Sequence, residues 1–216
     1  MSSAIIILGA GGHAVSVANV AVACGMSIVA FVDDDKSESK LLGVPIITKQ
    51  QCIDAHPSAN FAIAIGDNSV RERVCNDYKS ELPNSKFPSL IHPTAVVGLH
   101  SEIGSGTVIM PQAHVGPNSI VGDFCILNTS SSIDHDCDMR SYSSIAPRVV
   151  TGGNVKIGVR SAVSIGATIK HGIEIGDDVV IGANSYVNKA VDSNIVAYGT
   201  PCKVVRKREK GTTYLA

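Results

Sequence analysis

From Ile91 onward, stepping six residues at a time lands on Ile91, Val97, Ile103, Ile109, Val115, Val121, Leu127, Ile133, Met139, Ile145, Thr151, Ile157, Val163, Ile169, Ile175, Ile181 and Val187. Thr151 alone breaks the apolar pattern, and the frame never shifts. Four places after each of these stands a mostly small or β-branched residue, among them Ala113, Ser119, Cys125, Ser131, Cys137, Ser143, Ser161 and Ala167. Glycine often follows the aliphatic position directly, as at Gly98, Gly104, Gly116, Gly122, Gly158, Gly176 and Gly182. Such a period suits neither a helix of about 3.6 residues per turn nor the alternation of a hairpin ladder. It suits a parallel β-helix, in which each hexapeptide makes one short strand and one turn and three of them close a triangular coil. The aliphatic residues then stack coil upon coil inside, and the small residues fit the corners. The glycines are expected to supply backbone conformations that a Cβ obstructs.

The first half carries a different rhythm. An apolar run, Ala4 to Leu8, meets Gly9-Ala10-Gly11-Gly12-His13-Ala14, and then an apolar, helix-compatible stretch reaches Cys24, with Gly25 placed to end it. A second run, Ser27 to Val32, leads into Asp33-Asp34-Asp35. A third, Asn60 to Ile65, leads into Gly66-Asp67-Asn68 ahead of a helical segment from Arg71 to Tyr78. Strand, glycine turn, helix, strand, acidic turn is the opening of a Rossmann-like α/β domain. Glycine lets backbone N–H groups and a helix N-terminus come close to a phosphate. Asp33 stands about 20 residues on, where a carboxylate meets a ribose hydroxyl. The motif by itself leaves NAD and a purely structural turn open, but about 80 residues hold too little for a complete dinucleotide fold. A nucleotide-sugar pocket fits better. The expected organisation is an α/β Rossmann-like domain over residues 1–85 and an all-β parallel β-helix over residues 86–216.

Charge narrows the partners. With 18 Lys and Arg against 19 Asp and Glu, no strong field recruits nucleic acid or an anionic membrane, so a polyanionic ligand has to be held locally. No apolar run approaches the ~20 residues of a membrane span. Aromatic residues are only 4% of the chain, which leaves Val, Ile, Leu and Ala to build the core, a composition suited to flat repetitive packing. Cys24, Cys52, Cys75, Cys125, Cys137 and Cys202 lack zinc-like spacing, and nothing N-terminal resembles a signal peptide. They read as reduced thiols of a cytoplasmic protein, and no metal is expected.

The uninterrupted frame resembles the hexapeptide-repeat acyltransferase superfamily. That resemblance implies a left-handed coil, against the ordinary crossover rule, and a homotrimer with active sites between subunits. Residues 9–14 (GAGGHA), 32–35 (VDDD) and 64–68 (AIGDN) precede the repeat. Within it lie Leu127-Asn128-Thr129-Ser130-Ser131-Ser132-Ile133-Asp134-His135-Asp136-Cys137 and Gly152-Gly153-Asn154-Val155-Lys156-Ile157-Gly158, and after it Gly199-Thr200-Pro201-Cys202-Lys203. In this combination the chain resembles the NeuD/PglD-like sugar acetyltransferases over nearly its whole length. Within that group it looks most like the enzymes that use acetyl-CoA to N-acetylate a UDP-4-amino-4,6-dideoxy sugar, yielding UDP-N,N'-diacetylbacillosamine.

The repeat frame turns Ile133 inward, so His135 and Asp136 fall near a turn and face outward. The resemblance implies that His135 is the base and that Asp136 raises its basicity. An imidazole so partnered can take the proton of an amine attacking the thioester. An exposed corner histidine is the plain alternative. His114 and His171 share the residue type but have no adjacent carboxylate. Cys137 takes a small-corner position, which suits a buried inert thiol better than an acyl carrier. The resemblance places the sugar nucleotide at Gly11, Gly12, His13, Asp33, Asp34, Gly66, Asp67 and Asn68. It places the pantetheine arm of acetyl-CoA against the backbone near Ser144, Ile165 and Ala183. It departs at Ser144, nine positions after His135, where bacillosamine-type relatives can carry a second histidine. The implied mechanism is direct transfer, with backbone or Ser donors stabilising the oxyanion. The basic residues Lys203, Arg206, Lys207, Arg208 and Lys210 read first as a solvated terminus and second as a contact for the CoA phosphates. Two other readings stay open: acetylation of a sialic acid or of a GDP- or dTDP-amino sugar, and a non-catalytic scaffold or sugar-nucleotide sensor.

Overall fold

A computed structural model describes residues 3–214. The N-terminal part opens with β1 (Ala4–Leu8), α1 (Gly12–Ala23) and β2 (Ser27–Val32), as the apolar runs require, and Gly25 (φ 76°) ends the helical turn. A hairpin, β3 (Lys40–Leu41) and β4 (Val44–Ile47), follows, and then α2 (Lys49–Ala55), β5 (Phe61–Ile63) and α3 (Asn68–Glu81). The sheet order is β3-β4-β2-β1-β5, parallel except for β3. β3, β4 and α2 were not anticipated from the sequence, although β4 itself is apolar. Their formation rests on turn and cap chemistry: Leu42 and Gly43 both take positive φ at the hairpin turn, and Thr48 and Gln51 form a capping box on α2. β5 is shorter than the apolar run that predicts it. α3 starts earlier than expected, because Asp67 caps it by accepting from the N–H groups of Ser69 and Val70.

The repeat then runs without interruption through seventeen two-residue strands, β6 (Leu90–Ile91) to β22 (Tyr186–Val187), each six residues beyond the last. The second residue of every strand is the frame residue, and ladders pair residues 18 apart, for instance Val115 with Ile133. The coils form a left-handed parallel β-helix of three flat faces. The first face holds β6 and every third strand after it, extended by the hairpin β23 (Ile195–Tyr198) and β24 (Lys203–Lys207). The second holds β7 (Val96–Val97) through β22, and the third β8 (Glu102–Ile103) through β20 (Glu174–Ile175). The frame residues from Ile109 to Val187 form one continuous buried column with the small corner residues Ala113, Cys125, Cys137 and Ala167. Hydroxyls at the corner position bind the next coil: Thr107, Ser119 and Ser161 donate to the carbonyls of Gly122, Asp134 and Gly176.

One expectation about glycine is corrected. The glycines directly after the aliphatic position do not take positive φ; they are small because the next coil touches them. A Cβ on Gly98, Gly104 or Gly116 would stand 2.5 Å from backbone atoms of Pro117, Asp123's amide or Asp134. Positive φ falls two residues later, and there side chains are the rule: His100, Gln112, Asn118, Phe124, Ser130, Asp136, Tyr142, Arg148, Asn154, Arg160, Asp178 and Asn184 all adopt it. Asn and Asp tolerate this conformation through local hydrogen bonding. The aromatic pair Phe124 and Tyr142 is retained for another reason, the docking of the first domain.

That docking uses the edge between the third and first faces. Phe124 and Tyr142 stack with ring centroids 5.4 Å apart and continue through Phe87 to Phe61 in the N-terminal core. Arg71 of α3 is fully buried and spreads its guanidinium over carbonyls of both domains: Ile65 and Gly66 on one side, Phe124 and Tyr142 on the other. Arg160 holds Asp178 through two bonds of 2.7 and 2.9 Å and Glu72 of α3 through a third contact. α1 lies against the first face, with Val17, Ala18 and Ala21 in one cluster with Leu90, Val108 and Met110. The seam is at Lys86, whose carbonyl still pairs with Phe61 of β5, while Phe87 already receives Gly106 of the first coils.

Candidate active site

The frame carries His135 and Asp136 to the edge between the second and third faces, both side chains 45% exposed. Asp136 sits in the left-handed corner conformation (φ 57°), which turns its carboxylate back onto the preceding imidazole. His135 Nδ1 is 2.6 Å from Asp136 Oδ2. A carboxylate can only accept, so Nδ1 carries the hydrogen and Nε2 keeps its lone pair. Asn118, one coil earlier on the same edge, holds the other carboxylate oxygen, and the Asp134 carboxylate caps the His135 amide at 2.8 Å. The hydrogen bond to Asp136 raises the His135 pKa above its ordinary value, and the Asp134 charge adds to the rise. Asp136 is correspondingly held below the usual carboxylate range.

The other histidines separate by geometry. His171 occupies the same corner position two coils later, its ring centroid 6.3 Å from that of His135, a proximity the sequence reading missed. His114 is half-buried on the second face without a carboxylate partner. Cys137 is buried, with its thiol pKa raised chiefly by burial, as expected of an inert corner residue.

A cleft of about 520 Å³ opens at the C-terminal ends of β1, β2 and β5, lined by Gly9, Ala10, Gly11, Asp33, Asp34, Lys49, Ile65 and Tyr78 among others. This is where ligands bind in open parallel sheets. The glycine whose conformation is obligatory here is Gly9 (φ 106°), where a Cβ would also stand 3.1 Å from the Ala64 carbonyl oxygen. Gly11 and Gly12 are exposed at the start of α1, where a first-turn N–H has no partner within the helix. The aspartates are already engaged. Asp33 accepts from the Ala10 amide at 2.9 Å, and Asp34 accepts from the Lys49 amide that begins α2. Asp67 caps α3 and accepts from the Tyr214 amide.

Asn68 corrects the sequence expectation outright. Its side chain has no solvent exposure, donates to the carbonyls of Arg160 and Ser161 and accepts from Arg71, so it fastens the two domains and offers nothing to a nucleotide.

A second cavity, about 390 Å³, lies between the N-terminal domain and the first face, lined by His13, Gly66, Ile126, Asn128, Ser144, Ala162, Ile165 and Tyr214 among others. It adjoins the cleft through the start of α1 and through Ile65-Gly66. Residues read separately for sugar (His13, Gly66) and for cofactor (Ser144, Ile165) thus share one wall. Ile165 and Ala183 stand exposed, one coil apart, on the edge between the first and second faces. The Ser144 hydroxyl is 3.2 Å from the Tyr214 hydroxyl, which also donates to the Gly66 carbonyl. Arg208 does not join a solvated tail: it is buried, bonded to Thr212 and close to the Tyr214 ring. Lys203, Arg206 and Lys207 of β24 and Lys210 are exposed as expected.

His13 has its pKa lowered to about 4, first by burial and then by the Arg71 charge, and its Nε2 is buried without a partner. An unfolded chain takes up a proton near the ordinary value of 6.5 while the folded one resists until about 4. Stability from this group is therefore full above 6.5 and is lost as pH falls through that window. The melting temperature is expected to drop between these pH values and to drop less steeply in His13→Gln; parallel slopes in the two proteins would contradict the assignment.

Among the described residues no group of three or more His, Cys, Asp or Glu is placed to hold a metal ion, all six cysteines are free, and no helix is long and apolar enough to cross a membrane.

Comparison with known proteins converges on this architecture. The PglD N-terminal domain model matches residues 4–78. The GDP-perosamine N-acetyltransferase of Escherichia coli O157:H7 is 30% identical over 193 residues, covering 85% of this chain and 86% of that protein. The UDP-N-acetylbacillosamine N-acetyltransferase of Bacillus subtilis is 44% identical over a shorter stretch of 54 residues, covering 25% of this chain and 24% of that protein. The acetyltransferase domain of PglB from Neisseria gonorrhoeae, solved in complex with acetyl coenzyme A, superposes with a TM-score of 0.88 at 30% identity, covering 95% of this chain and 100% of that one. The chain therefore belongs to the PglD/NeuD-like family of hexapeptide-repeat, acetyl-CoA-dependent acetyltransferases.

Proposed function

We propose that the protein transfers the acetyl group of acetyl-CoA to the C4 amine of a nucleoside-diphosphate-linked 4-amino-4,6-dideoxy sugar, with His135 as general base. The observation that carries this reading is the meeting of the two cavities at the start of α1. The strand-end cleft suits the nucleoside, the exposed N–H groups at Gly11 and Gly12 suit the diphosphate, and the groove with His13, Gly66 and Ser144 suits what extends beyond it. His135 Nε2 removes the amine proton as nitrogen attacks the thioester carbonyl. The tetrahedral oxyanion collapses and releases CoA as the thiol, the proton passing through His135. Asp33 and Asp34, although engaged with backbone, still face the cleft and suit ribose or base contacts.

Within one chain the dyad and the groove lie on different parts of the prism, His135 between the second and third faces and the groove on the first. A second copy reconciles them. The second face presents Val96, His114, Ser132, Val150, Thr168 and Tyr186 outward and no charged side chain, whereas the third presents Glu102, Asp138, Lys156 and Glu174. The first face is covered by α1 only at its start, around Leu90, Val108 and Met110. Association of copies through the uncharged face, in a trimer, sets His135 of one subunit beside its neighbour and gives acetyl-CoA the edge at Ile165 and Ala183.

The UDP-linked sugar leading to UDP-N,N'-diacetylbacillosamine is the narrower form of the proposal. A GDP-linked sugar is the second reading, because the GDP-perosamine enzyme matches 85% of this chain and the bacillosamine enzyme 25%. Thiol release from acetyl-CoA, measured against UDP-, GDP- and dTDP-linked 4-amino sugars and sialic acid, decides between them. Turnover confined to one nucleotide sugar, with a trimeric mass in light scattering, is the expected result. Turnover only with sialic acid, or a monomeric mass in an active enzyme, contradicts it.

A further inference from the structure

Both irregularities of the hexapeptide repeat fall in one coil, and both touch the segment that carries His135. Thr151 is the single non-aliphatic frame residue. In the neighbouring coils the residue after the frame position donates to a main-chain oxygen 17 residues on, Gly116 to Ile133 and Gly152 to Ile169. The Asp134 amide instead goes to the Thr151 side-chain hydroxyl, at 3.2 Å. The ladder between β13 (Ser132–Ile133) and β16 (Val150–Thr151) correspondingly pairs at one position, Ser132 with Val150, where its neighbours pair at two. Thr151 is buried, so its hydroxyl is committed to this spot.

The second irregularity lies two residues later. Along the whole repeat the position two after the frame residue carries a side chain, from Pro93 through His135 and His171 to Lys189; Gly153 is the exception. Gly153 stands between His135 and His171, one coil from each. A Cβ there would meet His135 Nε2 at 2.4 Å, Cε1 at 2.5 Å and Cδ2 at 2.9 Å. Its φ is not in the left-handed region, so no backbone need calls for glycine. The space is filled by the imidazole, which leans across the notch while the Asn154 amide holds the His135 carbonyl at 2.9 Å.

We propose that Thr151 and Gly153 are positioning residues for His135: Thr151 diverts the strand rung just before the imidazole, and Gly153 leaves the notch in which the ring rests. The inference rests on the reading of His135 as the base. Without the hydroxyl, the Asp134 amide falls back on the regular main-chain rung, and the segment 134–136 is drawn into register with the other coils. With a methyl at 153, the ring must leave the notch, and its hydrogen bond to Asp136 is strained or lost.

Thr151→Val and Gly153→Ala test this in the full-length assembled enzyme, with His135→Ala as reference. Thr151→Val restores the repeat's own rule and keeps the side-chain shape, so a purely structural role predicts an unchanged or raised melting temperature and unchanged kcat. The expected result is an unchanged or raised melting temperature with kcat lowered about tenfold, and kcat lowered about a hundredfold in Gly153→Ala, since displacements near 1 Å cost about that much. KM for both substrates stays within about twofold of the parent, because neither residue is placed to bind them. The downfield proton resonance of His135 Nδ1–H is expected to shift in both variants. Parental kcat in folded Thr151→Val overturns the proposal whether or not Gly153→Ala folds. Retained activity in His135→Ala instead removes the base assignment itself, an outcome separable from the first.

Discussion

Replacing His135 with alanine is expected to lower kcat by about a thousandfold while the enzyme still binds both substrates, in line with what a positioned general base contributes. The imidazole stands exposed on an edge of the prism, and no part of the core depends on it, so the melting temperature is expected to stay unchanged. The partner variant Asp136→Asn carries a signed prediction. The Asp136 hydrogen bond raises the His135 pKa, and only the neutral imidazole accepts a proton. Activity of the parent therefore falls as pH drops through this raised value. Removing the carboxylate lowers the pKa, so the acidic limb of the kcat/KM profile moves to lower pH even though the weaker base lowers the plateau. A limb that stays in place in Asp136→Asn, or moves upward, contradicts the dyad.

The largest effect on stability is expected at Arg71. Its guanidinium is 1% exposed and joins carbonyls of Ile65 and Gly66 to those of Phe124 and Tyr142, with Asn68 closing the network. Burial lowers its pKa, a cost that these oxygens and the Asp67 charge offset. Arg71→Leu leaves those carbonyls buried without donors. By analogy with breaking one side of a buried ionic network, the cost is about 3–5 kcal/mol. For a chain of this length that corresponds to an apparent Tm about 10 °C lower. Arg71→Lys, with three donors in place of a planar fork, is expected to recover part of the loss. Differential scanning calorimetry checks both, and a Leu variant melting within about 2 °C of the parent would show that the junction is carried by the aromatic stack instead.

The period of the repeat made the β-helix legible residue by residue, because each frame position meets the same interior and the chain pairs with itself at a constant separation. Helix α1 and strands β1 and β2 were legible for a similar reason, as apolar-rich runs set off by glycine and aspartate. β3, β4 and α2 were not, since a hairpin turn containing Leu42 and a capping box at Thr48 leave no periodic trace. The contact between His135 and Asp136 was legible because the two adjoin in sequence and the frame fixes which way they face. His171 and Gly153 were missed as neighbours of His135 because they approach it only across coils. Asn68 was misread because a polar residue after a strand looks the same whether it meets a ligand or fastens a second domain. Arg71 left no trace in the sequence, because an arginine on a helix looks the same whether it is solvated or buried against the corner of a β-helix.

The 18-residue coil also limits how this chain can change in length over evolution. Adding or deleting six residues between Phe124 and His135 would keep every aliphatic side chain inside and cost the interior little, yet an addition would turn the dyad to the edge where Phe124 docks the first domain, and a deletion to the edge that carries Ile165 and Ala183. Only insertions or deletions of whole coils conserve both the core and the edge that carries His135 and Asp136. Related sequences of different length are therefore expected to differ, between the docking residues and the dyad, in steps of 18.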